Sequence, residues 1–446
     1  MKRILILIYC LCPMLLFGQG LLSTLDNMHS VVKGETWESI AASYGIPLEE
    51  LRSANLDVKS EKLKKGTLLI IPKRSSAHAE TLPNTSLQSV TDAYTPSLIR
   101  TAIPNLKVGV LLPLTDKRMV EFYRGLLMAA DSVRKSGINL DIYAWDSGTT
   151  MTKIEPVLPK LGDLDILFGP ALAVQLQPVA ETCREQGVRL VLPFFSGQPL
   201  EDYPLVYNAT APSSILYDAA AKKMMTYYAD KNYVIVHSGN IDNKGKNLAE
   251  AFTKNVTQQI GSPKTLDING DDLAYESALN MSGENMLILD DSNVRSLNIL
   301  LSHLKDFRKA HPQYRISLMG STEWLDETQT LLPDFFAFDT YIISPYYYNM
   351  LDNKTRQFEQ TYMKNFGTSM LRNNPRFAVH GFDLGYYFLK GISSLGDTFE
   401  QMQGSIQQEP YQNWYRFERC ASALSFSNNF VQFVHYTPEN KIELIR

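Results

Sequence analysis

Leu106-Lys107-Val108-Gly109-Val110-Leu111-Leu112-Pro113 is the stretch that decides the fold of most of this chain. From Val108 to Leu112 the residues are apolar without a break, and Pro113 stops the run, the pattern of a strand buried on both faces of a helix-covered parallel sheet. Residues 120–135 follow with Phe122, Leu126, Ala129, Ala130 and Val133 at helical spacing. Strands are then expected over 140–145, 166–168 and 188–192, with a helix over 179–186. After Tyr207 the series restarts, with helices over 213–228, 246–258 and 294–307 alternating with strands over 233–237, 286–289 and 316–319. The repetition predicts an α/β fold of two lobes in sequence, each built on a parallel, doubly wound sheet.

Working outward, the 446 residues allow two to four structural units, and 44% hydrophobic with 20% charged residues is ordinary globular composition. Lys plus Arg total 43 against 47 Asp plus Glu, a net charge of -4. That balance gives no field to hold nucleic acid or an anionic bilayer, and no nucleic-acid partner is expected. Lys2 and Arg3 precede an apolar run over 4–17 and the small residues Gly18 and Gly20 around Gln19. This reads as a signal peptide over residues 1–19, too short for a membrane span of about 20 apolar residues. No later segment comes closer, so the mature chain is expected to carry no transmembrane segment. Cys10 and Cys12 follow the bulky Tyr9 and Leu11, where a lipobox needs a small residue, so soluble export is favoured over lipidation. Cys183 and Cys420 are far apart in sequence and read as separate buried thiols rather than a disulfide framework.

Behind the leader lies a compact local pattern. His29 to Val32 alternates as a short strand, and Lys33-Gly34-Glu35 turns. Thr36 stands at the N-cap of a helix closed by Gly45. Pro47 opens a second helix with Leu48 and Leu51 on one face, and Leu68 to Ile71 forms a closing strand before Pro72. Ile40, Leu51, Leu63 and Ile71 are its expected core. His29-x-Val31-x-x-Gly34-Glu35-Thr36-Trp37-x-x-Ile40-Ala41-x-x-Tyr44-Gly45-Ile46, then Leu51-x-x-Ala54-Asn55 and Leu63-x-x-Gly66-x-x-Leu69-x-Ile71-Pro72, resembles the LysM module. The likeness spans residues 27–74 and implies a βααβ unit that binds peptidoglycan or another N-acetylglucosamine-containing glycan. Carried over position by position, its groove uses Gly34, Glu35 and Thr36 on one side and Asn55, Leu56, Asp57 and Lys59 on the other. Asn55 also reads as a helix cap. Residues 75–104, with frequent Ser, Thr and Pro and no apolar period, read as a flexible linker.

Beyond the linker, Ile166-Leu167-Phe168-Gly169-Pro170, Gly187 to Pro193, Asn208-Ala209-Thr210-Ala211-Pro212-Ser213 and Gly320-Ser321-Thr322-Glu323-Trp324 resemble the type I periplasmic binding proteins of the branched-amino-acid class. So do Phe358 to Phe366, Ala378-Val379-His380-Gly381-Phe382-Asp383 and Phe430 to Tyr436. The resemblance covers residues 105–446. It implies two Rossmann-like lobes with parallel sheets, lobe 1 over 105–210 and 346–406 and lobe 2 over 213–343 and 408–446, joined by hinge crossovers near 209–213, 343–346 and after Gln407. A ligand in this fold lies between the lobes at the carboxyl ends of the strands. Here the expected cleft residues are Ala171, Phe194, Phe195, Ser196, Tyr217, Asn240, Trp324 and Tyr346. Ala171-Leu172-Ala173 and Phe194-Phe195-Ser196-Gly197 stand where amino-acid binders place small hydroxyl residues, and the segment 240–245 lacks the family's tyrosine. A free amino acid fits such a cleft poorly. Three readings stand: a more apolar small ligand, a degenerate cleft, or lobe surfaces that contact an envelope protein. Packing of the lobes accounts for the aromatics as well as ligand contact does.

No HExxH, His-x-His, Gly-x-Ser-x-Gly or calcium-loop motif occurs among the seven His and the rest of the chain. No metal, cofactor or catalytic residue is therefore expected. His380-Gly381-Phe382-Asp383 reads as helix packing, and Asp271-Asp272 and Asp290-Asp291 read as solvated turn residues. The chain is expected to be an exported protein of the periplasm or cell envelope, not an enzyme, that binds peptidoglycan and uses its two-lobed part as a sensor or scaffold. The alternatives are a wall-tethered solute receptor for a transporter and a wall hydrolase of unrecognised type.

Overall fold

The computed structural model describes residues 28–31, 35–43, 47–53, 55, 58, 63, 67–70, 103 and 105–446, apart from 198–199, 241, 351 and 420–422. The expected signal peptide with Cys10 and Cys12, nearly all of the expected linker, Ile71 and Cys420 lie outside the described residues. The chain forms two compact units, divided between Thr95 and Pro96.

The small unit runs β1 (Met28–Ser30), α1 (Trp37–Ser43), α2 (Leu48–Ser53) and β2 (Leu68–Ile70). β1 and β2 pair antiparallel with Met28 opposite Ile70 and Ser30 opposite Leu68. Val31, Trp37, Ile40, Ala41, Leu51 and Leu69 form its core, with Leu63 packed at the edge. Thr36 caps α1 by accepting the Ser39 amide at 3.2 Å, while Ser39 Oγ accepts the Thr36 amide at 2.9 Å, a reciprocal capping box.

The large unit holds two seven-stranded sheets. Lobe 1 uses β3 (Asn105–Leu112), β4 (Asn139–Asp146), β5 (Ile166–Phe168), β6 (Arg189–Leu192), β7 (Val206–Asn208), β13 (Phe417–Arg419) and β14 (Phe426–Asn428), in the order 13-14-7-6-5-3-4. Lobe 2 uses β8 (Asn232–His237), β9 (Lys264–Asp267), β10 (Glu284–Leu289), β11 (Arg315–Gly320), β12 (Thr340–Ser344), β15 (Gln432–Tyr436) and β16 (Ile442–Ile445), in the order 16-15-12-11-10-8-9. From β3 to β12 neighbouring strands pair parallel, as the unbroken apolar runs require, while β15 runs antiparallel to β12 and β16, and β13 antiparallel to β14.

Helices cover both faces of each sheet. In lobe 1, α3 (Lys117–Arg134) and α12 (Phe377–Leu395) pack on one face, with α4 (Met151–Ile154) and α5 (Ala173–Gln186) on the other. The α3–α12 crossing is close enough that a Cβ at Gly125 would sit 1.8 Å from the Ala378 carbonyl oxygen, and one at Gly381 2.0 Å from that of Phe122. Only glycine fits either position. In lobe 2, α6 (Ser213–Tyr227) and α7 (Asn243–Gln259) lie on one face, and α8 (Asp272–Ala278), α9 (Val294–Ala310) and α10 (Thr328–Ala337) on the other. α11 (Asn353–Phe366) returns to lobe 1 against α3, and α13 (Phe399–Met402) follows α12.

Several expectations need correction. β9 and α8 are absent from the sequence reading because β9 is an edge strand with only Leu266 buried, which leaves no apolar run. α5 begins at Ala173 rather than 179 and continues through Pro178. Ile103, placed in the linker, is buried in the lobe 1 core and its amide donates to the Ser393 carbonyl at 3.0 Å. The largest correction concerns the lobe boundary. Residues 417–428 were assigned to lobe 2, yet β14 pairs parallel with β7 in the lobe 1 sheet. Tyr207 explains this: Phe426 stacks on its ring at 4.7 Å and Phe417 meets it edge-on at 5.5 Å. The chain therefore makes its last crossing between Asn428 and Gln432.

Candidate functional site

Three of the seven expected glycan-groove residues are described. Thr36 is exposed at the start of α1, Glu35 beside it is half-buried, and Gly34, Leu56, Asp57 and Lys59 lie outside the described residues. Asn55 is buried, and its Nδ2 donates to the Leu51 carbonyl at 2.8 Å, capping α2. At this helix N-terminus the capping box already holds the Thr36 and Ser39 amides.

In the large unit the carboxyl ends of the two sheets carry the expected cleft residues. Ala171 and Phe194 are half-buried against the lobe 1 core, Phe194 edge-on to Phe122 at 5.0 Å and 5.4 Å from Phe377. Phe195 packs on the opposite face of the same sheet, and Ser196 is exposed. In lobe 2, Tyr217 is buried within α6, and burial together with the Glu323 and Asp242 carboxylates raises its hydroxyl pKa well above the usual range. Trp324 is 1% exposed, lies parallel to Phe335 at 6.2 Å and covers Gly320, where a Cβ would come within 2.2 Å of the indole. Its Nε1 has no hydrogen-bond partner among the described residues. Asn240 is exposed, and Tyr346 packs half-buried on the lobe 2 core. A separate groove of about 440 Å³ lies between β9 and α8, away from these strand ends.

The acidic pair Asp290-Asp291 departs from its solvated reading. Both are buried, Asp290 accepting the Ser238 amide at 2.8 Å and meeting His237 Nδ1 at 2.9 Å, Asp291 accepting from the Asn293 amide and Ser296 Oγ. They are buried because α7 seats on this loop: a Cβ at Gly245 would lie 2.1 Å from the Asp290 carbonyl oxygen. Asp271 is exposed and caps α8 through the Ala274 amide.

Between the lobes, polar side chains join the crossovers. Asp383 on α12 accepts the amides of Tyr411, Gln412 and Asn413 at 3.0, 2.9 and 2.8 Å. Burial pushes its carboxyl up to about 7, against the pull of those three donors. Asn413 forms a bridge with Tyr346, and the Tyr347 amide donates to the Gln412 carbonyl. Asn428 Oδ1 accepts the Arg416 and Phe430 amides, and its Nδ2 reaches the Ala209 and Trp414 carbonyls. His380 bridges the Pro193 carbonyl through Nε2 and the Tyr415 hydroxyl through Nδ1, both at 3.1 Å, and burial lowers its pKa to about 4. The neutral ring therefore donates from Nε2 and accepts at Nδ1. Asn374 of lobe 1 also donates to Asp326 of lobe 2 at 2.8 Å. Helix packing was foreseen for the His380–Asp383 segment. Gln412 and Asn428 were missed, since nothing local to either distinguishes it from a loop amide.

Comparison with known proteins agrees with this fold. Residues 29–72 match the model of the LysM domain. No curated protein matches the chain in sequence. Among solved structures, the chain is similar to a putative branched-chain amino acid ABC transporter protein from Rhodospirillum rubrum. The identity is 15% and the TM-score 0.57, over 76% of this chain and 100% of that one. It is also similar to the LpoA (YraM) C-domain from Haemophilus influenzae, a regulator of PBP1A, at 14% identity and TM-score 0.50, with the same coverage. The chain thus carries a LysM domain over residues 29–72, followed by the two-lobed α/β fold of the periplasmic binding proteins.

Proposed function

We propose that this protein is an exported cell-envelope protein that holds peptidoglycan through its LysM domain and presents the two-lobed unit as a scaffold or sensor for wall-related partners. The observation that carries the reading is the joining, in one chain, of a LysM match over 29–72 to a body whose fold is similar both to a putative branched-chain amino acid ABC transporter protein and to a regulator of PBP1A. Glycan contact falls to Gly34, Glu35 and Thr36 on one side and to Asn55, Leu56, Asp57 and Lys59 on the other. The scaffold role is favoured by packing: Phe194, Phe195, Tyr217, Trp324 and Tyr346 all spend surface inside a lobe. Co-sedimentation of the protein with purified sacculi tests the anchor, with a variant lacking residues 28–74 as control. Equal pelleting of the two refutes it.

A solute-receptor reading is favoured by one feature, the buried and unpartnered Trp324 Nε1 at a strand end of lobe 2. A ligand that uses it raises stability by about 2.7 kcal/mol at 100 times its dissociation constant. A thermal-shift screen of amino acids and muropeptides that moves nothing removes this reading.

A further inference from the structure

β4 ends the lobe 1 sheet, paired with β3 in an unbroken register from Asn105 opposite Asn139 to Leu112 opposite Asp146. Among the described residues no strand pairs with its other edge. Folded proteins blunt such edges with prolines, lysines, bulges or covering elements. Asn139–Asp146 contains no proline or lysine, and its register has no bulge. Cover is thin as well, because α4, the helix that follows, is a single turn. Tyr143 is left 44% exposed and Trp145 half-buried on the same face, their rings 6.2 Å apart and nearly parallel.

The Ser147 amide donates to the Leu112 carbonyl, so the odd-numbered residues of β4 turn their backbone groups toward β3. The even-numbered residues turn theirs outward. Arg134 Nη2 takes the outward carbonyl of Leu140 at 2.6 Å. Among the described residues Ile142 and Ala144 remain as open rungs, each with one donor and one acceptor.

We propose that this edge is the contact surface for a second copy of the chain, joined by antiparallel pairing of β4 with β4 across a two-fold axis at Tyr143. In that register Ile142 faces the partner's Ala144 and Ala144 faces the partner's Ile142, which closes four backbone hydrogen bonds. A register centred on Ile142 loses two bonds, because Ala144 would then face Leu140, whose carbonyl Arg134 already holds on each chain. Centring on Tyr143 also sets Asp146, exposed at the end of the strand, opposite the partner's Leu140 and so beside the partner's Arg134. Opposite charges meet at both ends of the seam. Asp141 faces the partner's Trp145, so no like charges oppose one another. One strand pair buries less than the roughly 1,200–2,000 Å² of a standing interface, so the dimer forms reversibly with concentration.

Sedimentation velocity of the purified full chain over a concentration series reads this equilibrium. Ala144→Pro removes an outward N–H and fills the seam while leaving the β3 ladder intact. It is expected to raise the dimer dissociation constant at least tenfold with the melting temperature unchanged. Register is tested by oxidation. Facing Cα atoms at position 143 sit about 4.5 Å apart as a non-hydrogen-bonded pair, within disulfide reach. Tyr143→Cys is expected to give a covalent dimer beyond the level of the unsubstituted protein, and Asp141→Cys is not. A protein monomeric at every concentration, a dimer that survives Ala144→Pro, or equal cross-linking by both cysteine variants overturns the proposal.

Discussion

Arg189 and Glu400 form a buried pair at the foot of lobe 1, and breaking it tests how the 396–402 segment is held to the sheet. Arg189 Nε lies 2.7 Å from Glu400 Oε1 and Nη2 3.1 Å from Oε2, a bidentate fork. Tyr207 donates to the same Oε1 at 2.9 Å, and Arg189 Nη2 also reaches the Gly396 carbonyl. The side chains are 8% and 11% exposed, so solvent cannot replace a lost partner. Arg189→Met strands the carboxylate with the Tyr207 hydroxyl alone, which costs about 3–5 kcal/mol. Arg189→Met with Glu400→Leu removes both charges, and replacing such a pair by apolar residues is neutral or stabilising by about 1–4 kcal/mol. The expected coupling is therefore about 3 kcal/mol or more. Urea unfolding followed by circular dichroism, run on both single variants and the double, measures it. The single Arg189→Met variant should melt about 10 °C lower, at roughly 2–4 °C per kcal/mol for a lobe of this size. Salt at 1 M should change little, because the pair is shielded from counterions. Additive losses, with coupling below about 0.5 kcal/mol, would refute the account of Arg189 as the compensating charge.

Gly125→Ala should destabilise by about 3 kcal/mol, since its Cβ meets backbone rather than a movable side chain at the α3–α12 crossing; thermal melting reads this. Thr36→Ala removes the α1 cap and should cost the small unit about 1 kcal/mol, seen as faster amide exchange in α1 with the large unit unchanged. Two buried groups pull stability in opposite directions with pH. Asp383 rises from 3.8 to about 7 on folding, so its contribution is present below pH 4 and lost as pH climbs through 7; that of His380, lowered from 6.5 to about 4, is present above 6.5 and lost as pH falls through 4. The unsubstituted protein should vary little between pH 4 and 6.5. His380→Gln should expose a fall with rising pH in urea midpoints, and a rise instead would reverse the assignment.

The α/β order of the large unit was legible because its interior strands are short apolar runs broken by proline or glycine, as at Val108 to Pro113 and Ile166 to Pro170. Strands with a solvent edge were not. β9 buries one residue of four, and β14, only Phe426–Asn428, is too short to carry a period. Its sheet membership depends on Tyr207, more than two hundred residues earlier, a contact no local pattern announces. The LysM domain was legible as a motif, and Thr36 took its cap position because capping is a local rule. Asn55 carries two readings in one residue, since a helix cap and a groove position coincide there. The cleft was legible only as a list of residues. Whether a phenylalanine at a strand end faces ligand or core depends on neighbours such as Phe122 and Phe377, which come from helices distant in sequence.

The crossovers bear on how the two lobes move. Hinged binding proteins close by changing backbone angles at a few element ends. Here 411–413 is bound by three amides to Asp383 on α12 and bridged to Tyr346, while Asn428 ties its own turn to Ala209 and to 414–416. The 209–213 and 428–432 connections are thus bonded to each other through Asn428, and the 343–346 connection to the lobe 1 segment 411–413, so rotation at either breaks buried hydrogen bonds at about 1–3 kcal/mol per unsatisfied group. Rotation is left to the short pieces outside these bonds, with Asn374 to Asp326 as an exposed contact to be broken on opening. A surface spanning both lobes is held in steady geometry by such a strip, which is what a scaffold for partner proteins needs. A receptor needs the same strip to give way on ligand binding, so hydrogen exchange at the Tyr347 amide, which donates to the Gln412 carbonyl, separates the two roles: a scaffold keeps it protected with and without small molecules.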